Sequence, residues 1–159
     1  LDIADLAVNK LMAAAGRREP RDVVDLMTIH SHHLSIGAIA WAAVDVAPGF
    51  TPEGLIAEVR RNARYSRPDF EALASIRPID ADDLMRKLRD ALGSAEAFVV
   101  AMPSAKAGLL FLENGRPVQP DPSKLEVYED HRAQRRGHWP SSSEIGSAML
   151  ERYAKPGDK

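Results

Sequence analysis

Charged residues near the start of the sequence have the types and spacing needed to bind phosphate groups. Lysine and arginine stabilise the charge that develops on phosphate oxygens during nucleotidyl transfer. Lys10 falls within the apolar side of its predicted helix, and Arg17 follows seven positions later. Seven helical positions span about 10 Å along the axis, which suits a triphosphate. Asp22 and Asp25 share a face of the next predicted helix, where we expect Arg21 to pair with Asp25.

A purely structural interpretation of the same residues has to be weighed against this one. Arginine–aspartate patterns on short helices commonly form surface or interhelical ion pairs, and each such pair contributes little free energy. Solvent exposure separates the two interpretations. A ligand site predicts that Lys10 and Asp25 face an open cleft, whereas a structural cluster predicts that they close into mutual ion pairs.

The order and spacing of these residues carry a family resemblance over about residues 2–30. The matching positions are Asp5-Leu6-Ala7-x-Asn9, Lys10-Leu11-x-Ala13, Arg17 and Arg21-Asp22-x-x-Asp25-Leu26. This pattern resembles the downstream motifs of the AbiEii/AbiGii-type nucleotidyltransferase toxins. That family belongs to the polymerase-beta-like nucleotidyltransferases and serves bacterial abortive-infection and toxin–antitoxin systems.

The resemblance implies specific roles. Lys10, Arg17 and Arg21 would bind the nucleotide phosphates, Asp25 would be an essential acid, Asp22 would support the site, and Lys10 and Asp25 would be the catalytic pair. It also implies an NTP substrate, an RNA (for example tRNA) or protein acceptor, and an antitoxin as partner. Mg²⁺ would be the cofactor, because divalent ions bridge the phosphates and activate the attacking hydroxyl.

The family holds its metal ions with a Gly-Ser followed shortly by Asp-x-Asp or Asp-x-Glu. This chain has no such pairing, because Gly93-Ser94 is followed by Glu96 without Asp-x-Asp, and Asp80-x-Asp82 has no Gly-Ser before it. The chain also begins with leucine inside a helical pattern. We therefore expect it to be the C-terminal part of a longer protein, with the metal ligands upstream, and to be inactive by itself.

Histidines form a second candidate site, and two basic runs form a third. His30, His32 and His33 lie close enough in sequence to chelate Zn²⁺, but they also sit at a predicted helix end, where the helix dipole favours them. One basic run spans residues 60–67 and the other spans residues 131–139. Either run could contact an RNA backbone, although a solvated helix face and a tail explain them equally simply.

Helical spacing predicts the elements that would position the charged cluster. Apolar residues recur at helical spacing over residues 2–16, and Pro20 suits the first turn of a helix over residues 21–32. The near-continuous apolar run over residues 36–46 predicts a buried core helix. Thr51 is a good N-cap for a helix that ends near residue 65.

The second half of the chain has weaker patterns. We predict a short helix over residues 69–75 and a longer one from residue 80 or 82, with a break at Gly93-Ser94. Asn114-Gly115 between apolar segments predicts a β-hairpin over residues 109–118. We predict loop over residues 119–143 and a last helix over residues 143–153.

Composition sets the class of protein. The 159 residues include 45% apolar and 28% charged residues, only 6% aromatic residues and no cysteine, and the net charge is −2. These values predict a mainly α protein, a compact helical bundle with a small hairpin, and exclude disulfides and thiolate metal sites. We expect a helical domain over residues 1–118, a loop-rich tail over residues 119–159, a cytoplasmic location and no membrane partner.

Two functions follow as hypotheses. The first is the C-terminal region of a nucleotidyltransferase toxin that transfers a nucleotidyl group from an NTP. The second is a non-catalytic helical domain that docks a protein partner such as an antitoxin, with the charged cluster purely structural. In the second hypothesis the apolar run over residues 36–46 contributes to the interface.

Overall fold

The computed structural model describes residues 2–73 and 77–133, and this part of the chain is mainly helical, as predicted. Its helices pack as a bundle beside a small three-stranded antiparallel sheet. The α-helices are α1 (Ile3–Gly16), α2 (Pro20–His32), α3 (Ile36–Ala43), α4 (Pro52–Asn62), α5 (Arg67–Glu71) and α6 (Ala81–Ala101), and the strands are β1 (Leu110–Glu113), β2 (Arg116–Pro117) and β3 (Glu129–His131), arranged in the order β2-β1-β3.

Side-chain caps set where several helices begin. The Asp2 carboxylate accepts the Ala4 N–H at the start of α1, and the Thr51 hydroxyl accepts the Gly54 N–H at the start of α4. Such caps satisfy amide donors that have no partner within the helix. The predicted first two helices are confirmed, and α4 begins as predicted but ends at Asn62, a few residues early.

Helix α3 forms the centre of the core. All eight of its residues are buried, and α1, α4 and α6 pack around it. Gly37 lies against Phe98 of α6, and the indole N–H of Trp41 donates to the Lys106 carbonyl at 2.8 Å. The predicted buried helix is thus confirmed, although it ends at Ala43 and gives way to a turn. Because all of α3 lies inside the molecule, Ile36–Ala43 does not offer a surface to a partner, and the expectation that the apolar run contributes to an interface stays a prediction for its partly exposed end at residues 44–46.

Helix α6 continues through the predicted break at Gly93-Ser94. Both residues are exposed, and nothing lies within 4 Å of a Cβ built on Gly93. The apolar side of the helix stays buried before and after this point, at Leu92 and Phe98 for example. Tertiary packing therefore overrides the weak helix propensity of one glycine, which costs only about 1 kcal/mol.

Helix α5 begins at Arg67, two residues before the predicted start. The Asp69 carboxylate accepts hydrogen bonds from the Ser66 N–H and the Ser66 hydroxyl at 2.7 and 3.0 Å. This reciprocal capping arrangement places the helix start at Ser66 rather than at the acidic residue itself.

The predicted hairpin is confirmed. Asn114 and Gly115 have φ angles of 52° and 75°, which are the left-handed values of a two-residue turn between antiparallel strands. Strand β3, in contrast, lies in the segment that we predicted to be loop. It pairs with β1 through Leu110↔His131 and two further residue pairs.

Two sequence predictions lie outside the described residues. These are the helix over residues 143–153 and most of the second basic run. The division into domains at residue 118 stays a prediction. Among residues 2–73 and 77–133, no helix is long and apolar enough to cross a membrane.

Candidate functional site

Helices α1 and α2 form a helical hairpin that brings Lys10 and Asp25 together. The Lys10 ammonium lies 2.7 Å from Asp25 Oδ2. The two side chains are 32% and 34% exposed, so water still reaches the pair. Lys10 and Asp25, which are fifteen positions apart in sequence, therefore form a direct ion pair at the edge of the contact between α1 and α2.

A second ion pair lies nearer the turn between these helices. Arg17 donates from Nε to Asp22 Oδ2 at 2.7 Å and from Nη2 to Asp22 Oδ1 at 3.0 Å. This two-pronged contact uses the planar geometry of the guanidinium. Asp22 is only 4% exposed, whereas Arg17 is 63% exposed. The hydrogen bonds and charge of Asp22 raise the pKa of Arg17 above its ordinary value.

Arg21 does not form its expected contact. Asp25 pairs with Lys10 of α1 instead, and Arg21 is exposed without an ion pair to any described residue. The prediction of an Arg21–Asp25 pair is wrong, because the α1–α2 contact turns the Asp25 carboxylate towards the neighbouring helix. Arg21 nevertheless lies in the first turn of α2, next to Asp22.

On the closure of the charged pair, the arrangement matches the structural interpretation. Lys10 and Asp25 are closed into an ion pair, as the structural interpretation expects. Both side chains nevertheless remain about one-third exposed, and Arg17 and Arg21 are exposed cations near the turn between α1 and α2. A phosphate could approach the cations Lys10, Arg17 and Arg21. Two of them, Lys10 and Arg17, are paired with the carboxylates of Asp25 and Asp22.

The histidines have structural contacts of their own. The Ile36 N–H donates to His30 Nδ1 at 3.0 Å, and burial lowers the pKa of His30. The rings of His32 and His33 lie edge to face with centroids 6.5 Å apart. Within the described parts of the chain, no group of three or more histidine or acidic side chains could hold a metal ion.

Most of the first basic run is neutralised by carboxylates. Arg60 pairs with Glu96 of α6 at 2.6 Å, and Arg61 pairs with Glu58 one turn earlier. Arg67 lies 3.4 Å from Asp82. These contacts favour a solvated, ion-paired helix surface over an RNA-binding surface. In the second basic run, Arg132 lies 3.3 Å from Asp45.

Comparisons with family models, curated proteins and solved structures find no match to this chain. The resemblance to the nucleotidyltransferase toxins therefore stays a prediction that depends on the residues named for it.

Three residues lie beside the cluster that the sequence reasoning did not connect with it, although Tyr65 falls within the first basic run. Asn62 is the last residue of α4, Tyr65 lies three positions after it, and Arg18 lies in the turn between α1 and α2. Asn62 donates to the Ala15 carbonyl, and Arg18 donates to the Arg64 carbonyl. No local pattern could have linked them, since each contact joins residues 46 or 47 positions apart.

Proposed function

We propose that this chain is the C-terminal region of a nucleotidyltransferase that transfers a nucleotidyl group from an NTP to a hydroxyl of RNA or protein. The observation that carries the proposal is the juxtaposition of Lys10 and Asp25, 2.7 Å apart and about one-third exposed. These are the two residues to which the family resemblance gives catalytic roles. Their spacing in sequence would not by itself require them to meet.

In this reaction the acceptor hydroxyl attacks the α-phosphorus, a new P–O bond forms, and the bond to the pyrophosphate leaving group breaks. Negative charge is spread over the phosphate oxygens as this happens. Lys10, Arg17 and Arg21 would bind and orient those oxygens, because charge-assisted hydrogen bonds from lysine and arginine are the strong ones. Asp22 would hold the Arg17 guanidinium by its two-pronged contact.

Lys10 has to release or share Asp25 before it can contact a phosphate. Partly exposed ion pairs contribute only about 0–1 kcal/mol, so opening this one costs little compared with a new contact to a phosphate. Asp25 then remains beside the bound nucleotide and keeps Lys10 directed along the α1–α2 edge. The pair is thus a resting arrangement that ligand binding can open.

The reaction class also calls for Mg²⁺, which would neutralise the phosphates and activate the hydroxyl. The described residues do not fit that role, since they include no group of three potential ligands. We therefore assign no metal ligand and no metal-dependent step to them.

The test is NTP-dependent labelling of RNA and of protein acceptors by the full-length protein that contains this chain. Lys10→Ala is expected to lower the rate by roughly 100-fold or more, as loss of a cation that stabilises the charge of the transition state does. Asp25→Ala is expected to lower the rate as well, because Lys10 then lacks the carboxylate that directs it. Lys87→Ala is the matched control, because Lys87 forms a similar 2.9 Å pair with Asp83 on the surface of α6. Full activity in both site variants would overturn the assignment.

A second candidate function is a non-catalytic helical domain that docks a protein partner such as an antitoxin. The closure of Lys10 on Asp25 and of Arg17 on Asp22 favours it. In that case the two pairs only fasten α1 to α2. It predicts no labelling by the wild-type protein, and partner binding that Lys10→Ala leaves unchanged.

A further inference from the structure

The turn between α1 and α2 is held from outside by the last residue of α4 and the segment that follows it. Asn62 Nδ2 donates to the Ala15 carbonyl at 2.6 Å, and Arg18 Nη2 donates to the Arg64 carbonyl at 2.7 Å. The two bonds flank Arg17 on either side along the chain. They fasten the last turn of α1 and the residue after Arg17 to the same neighbouring segment.

Arg18 also makes an aromatic contact. Its guanidinium lies over the Tyr65 ring, 5.7 Å from the centroid. Tyr65 packs edge to face against Phe70, which is buried, with centroids 5.7 Å apart. A guanidinium on an aromatic face is held by both electrostatics and stacking, and a lysine reproduces neither the planar fork nor the stack.

The start of α2 lacks a side-chain cap. Glu19 occupies the N-cap position of α2 but makes no side-chain cap hydrogen bond. A helix start that lacks its cap is less stable by about 1 kcal/mol. The outside contacts of Arg18 and Asn62 therefore add to the backbone hydrogen bonds of the turn and to the Arg17–Asp22 pair in holding residues 17–19.

The charged groups around Tyr65 include the partner of Arg17. Burial chiefly raises the pKa of the Tyr65 phenol, Arg18 opposes the shift, and the carboxylates of Asp22 and Glu19 add to it. Asp22, the partner of Arg17, thus lies within electrostatic reach of Tyr65. The mixture of cations and carboxylates here also argues against a separate anion site.

We propose that Arg18 and Tyr65 are positioning residues that hold Arg17 in its two-pronged contact with Asp22, so that its exposed guanidinium is preorganised for a phosphate. This inference rests on the proposed function, because it concerns binding at the same site. A long side chain loses conformational freedom when it binds, at a cost of about 0.5–1.5 kcal/mol. Fixing the turn in advance reduces that cost.

The experiment uses the full-length protein that contains this chain, with ATP as the probe and two readouts. The first is the Kd for ATP. The second is the Arg17 Nε–H signal in a nitrogen–proton NMR spectrum, whose shift reports the hydrogen bond to Asp22. Arg18→Lys retains the charge but loses the fork and stack, and Tyr65→Leu removes the aromatic face. Tyr65→Phe retains the ring, and Arg60→Lys is the control at an arginine whose carboxylate partner lies on α6.

Arg18→Lys and Tyr65→Leu are expected to weaken ATP binding by roughly three- to tenfold and to shift or broaden the Arg17 signal. Tyr65→Phe and Arg60→Lys are expected to match the wild type in both readouts. If Tyr65→Leu fails to fold, Arg18→Lys decides alone, since Arg18 is exposed.

The failures are distinguishable. If the wild type binds ATP and Arg17→Ala weakens that binding while Arg18→Lys does not, the positioning role is overturned and the proposed function survives. A shifted Arg17 signal without any change in Kd also overturns it, since the role would then be structural only. If the wild type does not bind ATP, the proposed function fails and this inference with it. If the wild type binds ATP but Arg17→Ala binds it as tightly, only this inference fails, and the Lys10→Ala and Asp25→Ala variants still decide the proposed function.

Discussion

Lys10 Nζ lies 2.7 Å from Asp25 Oδ2, and this contact joins the middle of α1 to the middle of α2. The pair has a counterpart nearer the turn, where Arg17 contacts Asp22. The two pairs differ in one respect that can be measured. Asp25 is about one-third exposed, whereas Asp22 is almost completely buried.

The stability of the two pairs should differ accordingly. Lys10→Ala is expected to lower the free energy of unfolding by about 1 kcal/mol or less, because water can solvate the remaining Asp25 carboxylate. Arg17→Ala leaves a buried carboxylate without its guanidinium and is expected to destabilise the chain more. Urea unfolding measures both, and an equal loss in the two variants would contradict the difference in burial.

Gly37→Ala tests the close approach of α3 to α6. A Cβ at this position would lie 2.9 Å from Phe98 Cδ1 and 3.2 Å from Ala95 Cα, so one helix has to move. Overpacking of this kind costs about 1–3 kcal/mol. Thermal and urea unfolding should show a loss of that size.

Gly93→Ala is the control for the Gly37 substitution. It also replaces a helical glycine, but nothing lies within 4 Å of the added Cβ. Removing the flexibility of glycine from α6 is expected to stabilise the chain by about 0.5–1 kcal/mol. The same sign of effect at both glycines would refute the packing of α3 on α6.

The environment of His30 predicts how the free energy of unfolding depends on pH. Burial lowers its pKa below the usual 6.5, and Nδ1 accepts the Ile36 N–H. The unfolded chain therefore takes up this proton more readily than the folded chain. His30 contributes stability that is fully present above pH 6.5 and is lost as the pH falls through the pKa of the folded state.

His30→Asn is the variant for this test, because an asparagine carbonyl can accept the same N–H without titrating. The free energy of unfolding should fall less steeply below pH 6.5 in this variant than in the wild type. The exposed His32 provides the control, since His32→Asn should retain the wild-type slope. Parallel curves for wild type and His30→Asn would rule out His30 as the source.

Asp45 is expected to hold the residues directly after β3 against the core. Its Oδ2 accepts the Ala133 N–H at 2.9 Å, and its Oδ1 lies 3.3 Å from Arg132. Asp45→Ala should speed amide hydrogen exchange in β1 and β3 while leaving exchange in α6 unchanged. Asp130→Ala, at an exposed position within β3, serves as the control. Unchanged exchange in Asp45→Ala would show that the backbone pairing of β3 suffices.

Much of the candidate site was predictable from spacing. The sequence placed Lys10 and Asp25 on consecutive helices joined by a short turn, and the structure brings them together. It also placed Arg17 and Asp22 on either side of that turn, but their ion pair was not predicted. The choice of partner was less predictable, because Arg21 and Lys10 are both cations within reach of Asp25, and only the packing of α1 on α2 selects between them.

The structural features that depend only on neighbouring residues can be predicted from the sequence alone. Caps at Asp2 and Thr51, the Asn114-Gly115 turn and the apolar run of α3 all act within a few positions of the chain. Local hydrogen bonds and side-chain periodicity are enough to specify them.

Only the tertiary structure decided the continuity of α6, the pairing of β3 with β1 and the contact of Arg18 with Tyr65. Strand β3 has the polar sequence Glu-Asp-His, so its pairing comes from backbone hydrogen bonds that leave no apolar pattern. The partners of Arg18 lie 46 and 47 positions away along the chain. Contacts over such distances depend on how helices and strands pack together, and the spacing of residues in the sequence does not indicate which of them form.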